Sequence, residues 1–329
     1  MEPTIVGPDR DFMPAHRIDV HHHILPPNYV TKIGDDRIGP MIVAGKTPVW
    51  TPQHSIDAMN RNGIEKAITS ISAPGLWCSD ATETRVLTRE CNDYAAQMRL
   101  DYPGRFGMFA SLPLPDIDSS LQEIGYALDT LHADGIGLLT NYDGKYPGDA
   151  MFAPVFDELN RRKAVVYFHP TDAPCCHAHS LGVTLPAATL DFPFDTTKAI
   201  TSLLFSGTFA RCRDIRFIFS HAGGTIPFLA ERIARLEVRP EFRAGVPDGV
   251  MFELRRLFFD TALSANELAF SALLKLVAPA QVLFGSDYPF APETTMAATV
   301  KGLANLGLPE DVLRAIERDN ALRLLNEQP

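Results

Sequence analysis

A chain of 329 residues, 46% hydrophobic and 21% charged, can bury a large core and has the balance of an ordinary globular protein. Its formal net charge of -10 argues against a nucleic-acid surface, which needs clustered Lys and Arg, yet allows a small anionic substrate if a local cation reverses the sign inside a cleft. Five cysteines without a C-x-x-C pair suggest no disulfide framework, the opening MEPTIVGPDRDFMPAH lacks an apolar leader, and no apolar run is long enough for a bilayer; a cytoplasmic protein without a membrane partner is expected.

After an N-terminal arm over residues 1–15, a single domain is expected over 16–329. Short β-rich runs alternate with longer helical patterns throughout. The strand candidates begin at His16 (HRIDVHH), Lys66 (KAITSISA), Arg105 (RFGMFASLPL), Gly135 (GIGLLTNY), Ala164 (AVVYFHP), Ile215 (IRFIFSHAGG), Arg256 (RLFFDTA) and Val282 (VLFGSDYP). Most are continuously apolar, as strands covered on both faces of a parallel sheet are.

The intervening segments predict helices. One carries Val86, Tyr94 and Met98 at helical spacing, one opens on Asp118 and Ser119 as cap candidates, and one opens on Ser264. In DFPFDTT, Asp195 is the expected cap of another. Eight βα units without a linker predict a (β/α)8 barrel. A doubly wound sheet would carry a Gly-rich dinucleotide turn after its first strand, and none is present. Two stretches break the rhythm, Asn28 to Thr51 after strand 1 and Thr171 to Asp195 after strand 5. Both follow strand C-termini, where barrels place their active-site loops.

Strand alternation gives RIDVHHH a first interpretation. His21 and His23 point one way and His22 the other, so the useful pair is His21 with His23. His169 ends the fifth strand, His221 the sixth and Asp287 the eighth, which gathers these groups at one mouth of the barrel. Neutral imidazoles with a carboxylate suit one divalent ion of borderline hardness, Zn²⁺ or alternatively Mn²⁺. Three or four protein ligands leave a position for water or substrate, which marks a catalytic site.

IDVHHHILPP, FHP, FSHAGG and FGSDYPF, in this order and spacing, resemble the amidohydrolase superfamily, and within it the metal-dependent branch typified by 2-amino-3-carboxymuconate-6-semialdehyde decarboxylase. The resemblance runs from about His16 to the C-terminus. It implies that His21, His23, His169 and Asp287 bind the metal and that His221 stands beside it as a catalytic group. It also implies that Arg232, eleven residues past His221, binds a substrate carboxylate in a neighbouring subunit's site, hence a homodimer or homotetramer. A second Arg of the family pattern, before the first helix, is replaced by Lys46 or Thr47 in AGKTPVW. No Lys follows strand 4, where Thr140 and Asn141 stand, so a single metal is expected rather than a carbamylated-lysine pair.

Trp77 and Phe290 are candidate walls of a substrate pocket, with packing as the plain alternative for each. Cys175, Cys176, His177 and His179 form a second H-x-H beside two thiols; without a strand to fix it, this loop is expected to be a lid or substrate contact. GPMIVAGKT misses the phosphate-loop spacing, and no G-x-S-x-G elbow occurs.

The metal set serves hydrolysis and decarboxylation alike. The resemblance favours a metal-dependent carboxy-lyase that decarboxylates a small hydroxyaromatic or related unsaturated acid without an oxidant, with His221 or Asp287 handling the proton. The alternatives are a lactone or amide hydrolase, a hydratase of the same superfamily, or a catalytically silent barrel serving as a binding module.

Overall fold

The computed structural model describes residues 16–172 and 185–326. The expected arm over 1–15 and the Cys175, Cys176, His177 and His179 loop lie outside the described residues. Eight strands form where the apolar runs predict them: β1 (Arg17–His23), β2 (Ile64–Ser70), β3 (Phe106–Ser111), β4 (Gly135–Leu139), β5 (Val165–His169), β6 (Arg216–Phe219), β7 (Phe258–Asp260) and β8 (Val282–Leu283). All seven pairings are parallel and between consecutive strands. Val20 N donates to Phe284 O (3.0 Å), Asp287 N to His21 O (2.8 Å) and His23 N to Tyr288 O (2.7 Å), which bring the last strand against the first. The result is the expected (β/α)8 barrel.

Two apolar layers explain the continuous runs. Ile18, Val20, Ile68, Phe109, Val165, Tyr167, Ile218 and Leu283 pack together as one cluster with Ala321 and Leu324. Neighbouring residues such as Phe106, Met108, Val166, Phe168, Phe217 and Phe219 belong to a larger layer shared with the helices. Arg17 and Glu317, both 5% exposed, tie the first strand to the C-terminal region through Nε and Oε1 at 2.8 Å.

Strict alternation does not survive along β1. Its register against β2 slips between Asp19 and His22. Ile18 and Val20 pack in the first cluster, yet His21 and His23 face the same interior, so the slip moves the alternation by one residue. Such a bulge re-aims side chains.

The segment after β1 is less irregular than expected. It holds α1 (Pro27–Ile33), α2 (Asp35–Ile38), a 3₁₀ turn at Gly39–Met41 and α3 (Pro52–Arg61). Pro27 sits at the first helical position, and Tyr29, Ile33 and Ile38 are buried. Helices this short show no clear period in a sequence.

Three further helices follow: α4 (Ala81–Asp101), α5 (Ile117–Gly125) and α6 (Ala153–Arg161). α4 buries Leu87, Cys91, Ala95 and Met98, whereas Val86 is exposed. Its cap is Asp80, and α5 is capped by Asp116, not by Asp118 or Ser119. The helix Glu267–Leu276 is capped by Asn266, not Ser264. In each case the cap is the extended residue whose side chain accepts from the N–H three places on. Asp195 is no cap: it lies inside α7 (Ala187–Phe205) and is buried. It accepts from Asn141 Nδ2 (2.8 Å), Tyr146 Oη (2.7 Å) and the Thr140 hydroxyl, holding the loop after β4 against the helix. The short α8 (Thr208–Arg211) precedes β6, and α9 (Ile226–Ala234) follows it. Among the described residues no helix is long and apolar enough to cross a membrane.

Candidate metal centre

Strand ends bring the expected ligands together. One donor atom each from His21, His23, His169 and Asp287 lies within 4.8 Å of the others. His21 Nε2 and His23 Nε2 are 3.0 Å apart, and Asp287 Oδ1 is 3.1 Å from the first and 3.0 Å from the second. His169 Nε2 is 3.9 Å from the same oxygen. Donors sharing one ion at about 2.1 Å stand roughly 3–4 Å apart, so the spacing fits a single cation.

The outer nitrogens fix the tautomers. His169 Nδ1 donates to Pro170 O at 2.7 Å, and His23 Nδ1 lies 3.3 Å from Ser70 O and 3.2 Å from the Ser70 hydroxyl. A carbonyl can only accept, so His169 Nε2 presents its lone pair inward, and the Ser70 carbonyl favours the same tautomer for His23. His21 Nδ1 faces Asp260 Oδ2 at 2.9 Å and is fixed in the same sense. Three lone pairs and a carboxylate oxygen therefore converge, and His169 Nε2 is buried with no hydrogen-bond partner. That donor set fits a divalent ion better than it fits a proton network.

Electrostatics agree. Burial lowers the pKa of His23, and lowers that of His169 to about 3, which keeps both imidazoles neutral. For His21 burial acts in the same direction but is outweighed by the carboxylates of Asp260 and Asp287, which raise it to about 10. Burial would raise Asp287, but the histidines around it hold its carboxyl well below the usual range. Two carboxylates on one imidazole demand positive charge at this point, which a divalent ion supplies.

Two residues missed in the sequence hold the candidate ligands, and a third lines a nearby cavity. Asp260, fully buried at the end of β7, accepts from His21 Nδ1 through Oδ2 and from His221 N (2.9 Å) and Ala262 N (3.0 Å) through Oδ1. The signal was present: RLFFDTA ends its strand in an acid, as the other site strands end in His or Asp. Asp19 accepts from His21 N (3.1 Å), Ser286 N (3.0 Å), Ser286 Oγ (2.5 Å) and His22 Nδ1 (3.0 Å). It thus clamps β1 to the residue before Asp287. His22 Nε2 lies 2.8 Å from Ser55 Oγ on α3, so the middle histidine faces the helices, as alternation predicts. Arg37, the third, lines the cavity described below. Gly285 is needed where β8 passes the site, since a Cβ there would lie 2.8 Å from that of His21.

His221 stands beside the ligands with Nε2 3.5 Å from Asp287 Oδ2. It and Asp287 both occupy the left-handed region (φ 52 and φ 64), held there by the bond from His221 N to Asp260 and that from Asp287 N to His21 O. Such backbone strain is a frequent mark of functional sites. Gly224, just beyond, lets the turn approach α7: a Cβ would sit 2.1 Å from Pro193 O.

The remaining candidates divide. Phe290 is buried with its ring 5.3 Å from His23, nearly perpendicular, and Phe192 approaches His169 at 5.8 Å. Trp77 lines a cavity of about 360 Å³ above the ends of β2 to β5. Leu76, Leu112, Leu138 and Leu139 form apolar walls there, and Thr171, two residues past His169, also lines it. Neither Lys46 nor Thr47 lines it; Lys46 is exposed and Thr47 binds Asp35. Arg232 is exposed on α9 and lies outside that cavity.

The chain is similar to several known proteins. The family described as Amidohydrolase matches residues 18–326. "Decarboxylase yanB" of Aspergillus niger is 40% identical, covering 94% of this chain and 87% of its own length. The "6-methylsalicylic acid decarboxylase" of Penicillium expansum is 37% identical over 94% of this chain and 95% of its own. Among solved structures, 5-carboxyvanillate decarboxylase of Novosphingobium aromaticivorans, complexed with manganese and a nitrobenzoic acid, superposes with TM-score 0.82 at 20% identity, covering 95% and 96% of the two chains.

Proposed function

The chain belongs to the amidohydrolase family, and from that premise we propose that it is a metal-dependent carboxy-lyase acting on a small hydroxyaromatic acid. The observation that carries the reading is the convergence of three Nε2 lone pairs and Asp287 Oδ1, with His221 placed beside them. The decarboxylases at 37–40% identity over nearly the whole chain support the reaction type. His21, His23, His169 and Asp287 are the proposed ligands of one divalent ion. Zinc is our assignment from the imidazole-rich donor set, and the manganese of the Novosphingobium enzyme makes that ion the competitor.

When bound, such an ion supplies a Lewis acid for the oxygens of the acid. His221 Nε2 delivers a proton to the ring carbon that bears the carboxylate, and Asp287 Oδ2, 3.5 Å away, orients the imidazole. The bond to the carboxylate then breaks, its electron pair restores the aromatic ring, and CO2 leaves uncharged. The apolar surroundings of Phe290 and Phe192 favour that loss of charge. Arg232 is proposed to serve a second subunit; it is exposed on the helix that also shows Phe228, 85% exposed, one turn earlier.

The test is a panel of 2-hydroxybenzoates, the 6-methyl acid included, incubated with protein loaded with zinc or manganese while CO2 is measured. Turnover that a chelator abolishes and added metal restores is expected. Silence on the whole panel, with cleavage of lactones or amides instead, would overturn the assignment.

A further inference from the structure

We propose that Arg37 recognises a hydroxyl on the edge of the substrate ring remote from the metal ligands, so that the preferred acids carry a second oxygen substituent. The proposal rests on the reading of the site as one for an aromatic acid. Arg37 lies on α2 and is the cation among the described residues that line the cavity above β2 to β5. Its Nη1 donates to Trp77 O at 2.9 Å, which anchors the planar guanidinium by one of its five donors. Leu76 and Trp77 line the same cavity.

The sign of the cavity selects the ligand. Asp36 and Asp143 line it together with the Arg37 guanidinium among the described residues. A second carboxylate on the ring would meet net negative charge. A phenolic hydroxyl is neutral; it accepts from Arg37 and can still donate to a carboxylate nearby. Ile71, Leu112, Leu114 and Leu138 offer the ring face and any alkyl group apolar contact. Thr171, two residues past His169, and Arg37 on α2 both line the cavity, which opens at the same end of the barrel as the candidate ligands.

The experiment uses matched 2-hydroxybenzoates carrying either a hydroxyl or a methyl at ring carbon 4, 5 or 6. Equilibrium binding to the metal-loaded protein is measured by calorimetry for wild type, Arg37→Met and Arg37→Lys. A hydrogen bond to a charged donor is worth about tenfold or more in affinity. Wild type should prefer hydroxyl over methyl by about that factor at one ring position. The preference should fall to within about twofold in Arg37→Met and survive in part in Arg37→Lys. No preference in wild type, a preference unchanged by the substitution, or equal weakening of both members would each overturn the proposal; the last would mean that Arg37 holds the shared carboxylate or only props the Trp77 loop. Because the readout is binding, a protein that shows the Arg37-dependent preference but releases no CO2 defeats the decarboxylase reading alone.

Discussion

Asp260→Asn isolates what a carboxylate behind a ligand contributes. In the protein, Oδ1 accepts two backbone N–H groups, from His221 and Ala262, while Oδ2 accepts from His21 Nδ1 at 2.9 Å. The amide has one acceptor. Its oxygen will stay with the two N–H donors, which leaves the NH2 facing His21. Then Nδ1 must accept, the ring proton moves to Nε2, and the lone pair aimed at the ion is lost unless the contact breaks. Loss of such an outer partner typically costs about tenfold to a hundredfold in metal affinity, or about 1.4–2.8 kcal/mol. His221 keeps its backbone anchor, so the proton-handling group stays in place. The assay is a competition titration of zinc and of manganese against a chromophoric chelator, with thermal unfolding of the metal-free protein as the control for folding. Affinity within about threefold of wild type, in a folded variant, would refute the tautomer argument.

Asp287→Ala should lose both metal and turnover, whereas His221→Ala should retain the metal by elemental analysis and lose about a hundredfold to ten-thousandfold in rate; a metal-free His221→Ala would show that its role is misassigned. Co-expressed Arg232→Ala and His23→Ala subunits should recover activity that neither shows alone. The ceiling is about a quarter of wild type, since half of random dimers are mixed and each mixed dimer has one complete site. No recovery would mean that Arg232 does not act across an interface. Arg17→Met should destabilise by about 2 kcal/mol in denaturant, because it removes the guanidinium from buried Glu317 and leaves it only His16 on its other oxygen, and should leave metal affinity unchanged.

The barrel and the convergence of His21, His23, His169 and Asp287 were legible for the same reason. A strand buried on both faces must be apolar, so each polar residue closing such a strand stands out: His169 after VVYF, Asp287 after VLFGS. Asp260 closes FF in the same way and was within reach of the same argument. Arg37 was not. It sits on a four-residue helix with no period of its own, and only the fold reveals that α2 stands over the ends of β2 to β5. Caps went wrong by two residues at Asp118 and Ser264 because several acceptors crowd each helix start, and backbone geometry, invisible in sequence, selects among them.

The triple histidine shows how far alternation alone can be trusted. Applied across the whole of β1, it would set His21 and His23 on the face opposite Ile18 and Val20. All four face the interior, because the slip after Asp19 inserts one residue into the pattern. Asp19 is placed by that slip on the side of His22, where its two oxygens collect His21 N, both donors of Ser286 and His22 Nδ1. The bulge that aims two imidazoles at the candidate metal site therefore also creates the clamp that draws β8, and with it Asp287, against them. His22, read from sequence as merely facing outward, carries that clamp to Ser55, whose hydroxyl also receives Trp50 Nε1 at 2.9 Å. Three adjacent histidines thus divide into two that face the candidate metal site and one that fixes where Asp287 stands.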